Sequence, residues 1–150
     1  MAETTLGMIV DRVEYEVERG KIGEFSRATR TENAVHRDPV AAAAAGFERV
    51  PATLTHSVVA GHYRDQAGFV AALGLELSRI VVGSVKWKYL RPLAAGDSLR
   101  GVRTVVGDET RAGKRGGAMR VVTLETDYRD GAGDTVLTVQ EVLIERGKNA

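Results

Sequence analysis

The residue best suited by type to move a proton is His36, because an imidazole titrates near neutral pH. It lies in the polar stretch Thr31-Glu32-Asn33-Ala34-Val35-His36, just ahead of Asp38 and Pro39. Taken alone, such a histidine is an ordinary surface residue, so its neighbours decide its meaning. A threonine hydroxyl at 31 can hold a water molecule but cannot act as a base near neutrality, since it has no accessible conjugate base. Asn33 is suited to brace the loop by bonding its side chain to nearby backbone. Asp38 reads as a helix cap. His56 and His62 are six residues apart, about 240° around a helix, so they do not form a metal pair and are assigned no function. The chain has no cysteine, which excludes disulfides, thiolate metal sites and a cysteine nucleophile.

The elements that must position these residues follow from periodicity. Between Arg12 and Glu18, Val13, Tyr15 and Val17 alternate with glutamates, the pattern of a strand with one wet face. Ile22, Phe25 and Thr29 then recur at helical spacing. Asp38 as N-cap, Pro39 at the first position, an alanine run and Gly46 as terminator define a second helix. After Pro51 a longer helix is expected from Thr55 to about Leu73, with Gly61 and Gly68 facing a sheet closely packed against it. Four strands follow over 79–90, 98–106, 118–128 and 135–145, rich in β-branched and aromatic residues. Lys86 and Lys88 mark the wet face of the first of these. The segment from Gly107 to Gly117, with Arg111, Lys114 and Arg115, reads as a solvated hairpin tip able to meet phosphates or an acidic carrier protein. The expected class is α+β, an antiparallel sheet curling over one long helix.

At 150 residues the chain is expected to form a single domain over 1–150. A net charge of +1, from 21 basic and 20 acidic residues, gives no global field favouring nucleic acid. The stretch MAETTLGMIV resembles neither a signal peptide nor a membrane span, so a cytoplasmic location and no membrane partner are expected.

Two motifs carry a resemblance. The stretch from Thr31 to Pro39, followed by Ala45-Gly46-Phe47, resembles the D-x-N-P-x-H-x-D-P loop and alanine-rich helix of MaoC-like (R)-specific enoyl hydratases and dehydratases. Tyr89-Leu90-Arg91-Pro92-Leu93-Ala94-Ala95-Gly96-Asp97-Ser98-Leu99 is similar to the aromatic-x-R-P-x-x-x-G-D-x-L stretch of hot-dog acyl-thioester enzymes. The opening Tyr15-Glu16-Val17-Glu18-Arg19-Gly20-Lys21-Ile22 resembles the FAS1-like dehydratase N-terminal group, which includes subunits of heterodimeric dehydratases.

The resemblance implies a hot-dog fold, a substrate that is a thioester of CoA or acyl carrier protein, no cofactor or metal, and a homodimer or heterodimer with another hot-dog subunit. It also implies that an aspartate and a histidine five residues apart handle the water added to, or lost from, the β-carbon. His36 occupies the histidine position, but Thr31 stands at the aspartate, and Ala34 replaces the proline. Glu32 can replace the missing carboxylate only if the loop is shifted. Leu54 and Thr55 occupy the place where a backbone N–H polarises the thioester carbonyl, a position suited to a developing enolate oxygen. Three readings follow in order: a hydratase/dehydratase using His36 with Thr31 or Glu32, a non-catalytic acyl-binding subunit, and an acyl-thioesterase.

Overall fold

The computed structural model describes residues 4–115 and 117–148. The first three residues of the N-terminal stretch, Gly116 of the hairpin tip and residues 149–150 lie outside these. One five-stranded antiparallel sheet organises the chain: β1 (Ile9–Glu16), β2 (Ile80–Tyr89), β3 (Ser98–Ala112), β4 (Ala118–Arg129) and β5 (Thr135–Glu145), in the order β1-β3-β4-β5-β2. This is the expected α+β plan.

Alternation gives the sheet one inward face, with Val13, Tyr15, Leu99, Val105, Val122, Leu124, Leu137 and Val139 buried. Glu14, Glu16, Lys86 and Lys88 point to water, as their spacing predicted. Register shifts between Ile9 and Asp11, Val82 and Ser84, and Val105 and Gly107 are β-bulges, which bend strands and increase local twist. Past the shift after Val105, β3 runs on to Ala112, through most of the segment expected to be a turn. The turn itself begins after Ala112, and Lys114 and Arg115 in it are exposed.

Helices α1 (Arg19–Ala28), α2 (Pro39–Ala44) and α3 (Gln66–Ala72) and a 3-10 segment, His56–Tyr63, pack on the inward side. The α2 signals hold: Asp38 Oδ1 accepts from the Val40 N–H at 2.9 Å, and Gly46 closes the helix at φ +90°. On α1, Ile22, Gly23 and Ser26 are buried, whereas Thr29 has become the exposed C-cap.

The single long helix expected from Thr55 to Leu73 is instead two short pieces. Thr55 makes no side-chain cap bond, and the first piece winds as a 3-10 helix. Val58, Val59 and Gly61 all disfavour an α-helix there. Arg64 and Asp65 are extended, and Asp65 then caps α3 by accepting from the Gly68 N–H at 2.9 Å. The break leaves Arg64 free to reach back to Asp11 on β1. Neither Gly61 nor Gly68 packs against the sheet: a Cβ at Gly68 would meet only the Asp65 carboxylate, and one at Gly61 only Gln66. Phe69, Val70 and Leu73 make that contact, packing on Val105, Val122, Leu124 and Leu143.

Candidate functional site

The loop between α1 and α2 is shaped at both ends. Arg30, at φ 56°, takes the left-handed turn that ends α1, and the Thr31 N–H then donates to the Ser26 carbonyl at 2.7 Å. Asn33 accepts from the Val35 N–H at 3.2 Å and caps a 3-10 turn, Ala34–His36, the bracing role its type suggested. That turn presents His36, half-buried, to residues 51–55.

His36 Nδ1 lies 2.8 Å from the Pro51 carbonyl oxygen. A carbonyl only accepts, so Nδ1 carries the proton in the neutral ring and Nε2 keeps its lone pair. Pro51 is itself fixed: it bridges Ala94, while the Ala52 N–H donates to the Leu93 carbonyl at 2.8 Å and the Ala95 N–H to the Val50 carbonyl at 2.9 Å. Behind that contact, buried Asp97 accepts from Arg91, from Arg49 and from the Ala94 N–H. The Arg-Pro…Gly-Asp motif therefore builds the wall on which His36 is oriented.

The resulting cleft has a volume of about 460 Å³ and is lined by Thr29, Thr31, His36, Phe47 and residues 51–55, with Pro92 at the edge. Thr29 Oγ1 donates to the Phe25 carbonyl at 2.9 Å, so in its 3.0 Å contact with Thr31 the donor is Thr31, whose oxygen still accepts. Leu54 and Thr55 line the cleft, and their N–H groups donate to no other backbone group among the described residues. The Leu54 carbonyl is held by the Tyr89 hydroxyl. Glu32 is exposed and does not line the cleft, while its carbonyl accepts from Arg37. Among the described residues, no carboxylate lines the space around His36.

Thr53 was not singled out by sequence. Its hydroxyl is buried, lines the same cleft and has no hydrogen-bond partner among the described residues. The nearest signal was the polar character of a residue between Pro51 and the 3-10 segment. His56 is fully buried between Tyr15 and Phe25 with both ring nitrogens unpartnered; burial, with nearby Lys21 adding, pushes its pKa down to about 4. It is a neutral core residue.

Beyond residues 54–57, on the far side of the cleft, a second cavity of about 390 Å³ lies between the helical layer and the sheet. Trp87 fixes the partition by donating Nε1–H to Ser57 Oγ at 3.0 Å. Arg64, Arg103, Thr126, Tyr128 and Glu141 line this cavity at one end, with Asp11 behind them. Arg103 binds Asp11 through Nε at 3.2 Å and through Nη2, and its guanidinium stacks 4.0 Å over the Phe69 ring. Arg64 reaches Asp11 and, at 3.1 Å, the Tyr128 hydroxyl. Among the described residues no three His, Asp or Glu side chains converge as a metal site, and no helix is long and apolar enough to cross a membrane.

A five-stranded antiparallel sheet, a broken helical layer and an Asn-braced histidine loop define a hot-dog domain of the hydratase/dehydratase class. The chain belongs to the family described as FAS1-like, dehydratase domain region, whose profile matches residues 4–139. It is 39% identical over 142 residues to a UPF0336 protein of Clavibacter michiganensis, covering 91% of this chain and 89% of that one. In structure it is similar to the HadBC (3R-hydroxyacyl-ACP dehydratase) complex of Mycobacterium tuberculosis, with TM-score 0.79, 21% identity and coverage of 96% and 99%. It is also similar to the (R)-hydratase from A. caviae involved in PHA biosynthesis, with TM-score 0.67, 18% identity and coverage of 95% and 98%.

Proposed function

We propose that this chain is the acyl-binding subunit of a two-subunit hydratase/dehydratase acting on 2-enoyl or 3-hydroxyacyl thioesters of CoA or acyl carrier protein. One observation carries the reading: the cleft holds an oriented histidine, free backbone N–H groups and an apolar wall, but no carboxylate. Adding water across the double bond needs a group that takes a proton from water and returns one to the α-carbon. His36 alone can hold one of those protons, and Thr31 can only position the water. The thioester carbonyl sits against the Leu54 and Thr55 N–H groups, and the acyl chain passes the partition at Ser57 into the second cavity. The carboxylate and histidine pair that completes the reaction comes from the partner subunit. The HadBC and ChsH1-ChsH2 structures, both complexes by their names, support assembly with a second hot-dog chain.

A second reading, in which the chain is self-sufficient, is favoured by the His36–Pro51 contact, which leaves Nε2 ready to accept a proton. Hydration of a 2-enoyl-CoA by the purified chain, alone and co-purified with a hot-dog subunit bearing both aspartate and histidine, separates the two. The first reading expects turnover only in the mixture, and full turnover by the chain alone supports the second.

A further inference from the structure

The cavity beyond Ser57 has two unlike ends. Toward the β2 edge it is lined by Leu77, Ile80, Val82 and Trp87, of which Leu77 and Val82 are exposed. At the inner end stand two buried guanidiniums, Arg64 and Arg103, with Thr126, Tyr128 and Glu141. Asp11 saturates the inner sides of both arginines. Glu141 is held far more loosely: its single contact is with Arg103 Nη1 at 3.4 Å, and its side chain is 34% exposed.

Two guanidiniums and two carboxylates balance, so a further charge brought there would be buried without a partner. An alkyl end would strip water from Glu141 and Arg103 and return no hydrogen bond. A neutral group that both donates and accepts matches what is open: it gives its proton to the Glu141 carboxylate and takes an N–H from Arg103 Nη1. Building on the acyl-binding reading above, we infer that this cavity selects acyl chains carrying a hydroxyl group remote from the thioester, with Glu141 as the residue that sets the preference. The polar end then works as a specificity filter as well as a brace. Plain chains are accepted only while they stop short of it.

Trp87 is the only tryptophan in the chain and lines the cavity, so its fluorescence reports occupancy. The full chain, in its purified assembly, is titrated with octanoyl-CoA and with the ω-hydroxy counterpart. Wild type should bind the hydroxylated chain about tenfold more tightly, the scale of one hydrogen bond to a charged group. Glu141→Leu should abolish or invert the preference, and Glu141→Gln, which keeps a donor and an acceptor of the same shape, should retain part of it. Equal or tighter binding of the plain chain by wild type overturns the inference, as does a preference that survives Glu141→Leu. If neither ligand changes the fluorescence nor competes with the other, the acyl-binding reading itself fails, and the inference with it.

Discussion

The His36 cleft and the Arg103 cluster lie on either side of residues 54–57, and they are positioned by opposite means. Around His36, loop backbone does the positioning: an Asn33 cap, a left-handed Arg30 and the Pro51 carbonyl aim one ring. Around Arg103, four strands and the 3-10 segment converge on a largely buried set of charges in which Asp11 pairs with both arginines. The loop that aims His36 therefore sits where little stability is at stake, and much of the fold's cohesion resides in the charged cluster.

That contrast is sharpest under mutation. Arg103→Met leaves Asp11 and Glu141 short of a partner, and breaking a buried pair in this way costs about 3–5 kcal/mol; urea unfolding should read it directly. His36→Ala, by contrast, removes one half-buried hydrogen bond and should change the same unfolding by only about 1 kcal/mol. Comparable losses at both positions would erase the distinction.

The two buried or half-buried histidines differ as well. Because the folded-state pKa of His56 is lowered from 6.5 to about 4, its stabilising contribution is complete above pH 6.5 and is lost as pH falls through 4. Unfolding at pH 5 should show about 2 kcal/mol less stability than at pH 7 from this group. His56→Leu should remove that part of the slope, and an unchanged slope would mean His56 is not buried neutral.

A smaller effect separates the sheet from the helical layer. A Cβ at Gly101 would lie 2.7 Å from the Tyr128 ring and 2.9 Å from Val13, so Gly101→Ala should cost about 1–2 kcal/mol by overpacking. Gly68→Ala disturbs only the Asp65 cap and gains helix propensity, so its thermal midpoint should stay near wild type.

The places where sequence and structure part follow the same division. Strand alternation and the Asp38-Pro39…Gly46 helix were legible because local chemistry alone decides them. The break at Arg64-Asp65 was not, because an ion pair to Asp11, fifty-three positions back, rewards an extended backbone there. Arg103 and Asp11 nevertheless left a trace. Both continue the inward period-two registers, Leu99-Gly101-Arg103-Val105 and Asp11-Val13-Tyr15, where a charge is out of place without a buried partner. Within the cleft, His36, Thr31, Leu54 and Thr55 were brought together by motif, Asn33 appeared as their brace, and Glu32 was directed outward. The direction of a side chain in a loop depends on capping geometry that residue types alone do not specify.

By this reading the His36 cleft lacks a carboxylate and little else. Steady-state hydration of a 2-enoyl-CoA by wild type and Thr31→Asp, each as the purified chain alone, addresses it most directly. Wild type should stay near background, and Thr31→Asp should rise by at least ~10²-fold, the scale of one general acid/base group. A wild-type chain that turns over efficiently by itself, and that Thr31→Asp slows, would contradict it.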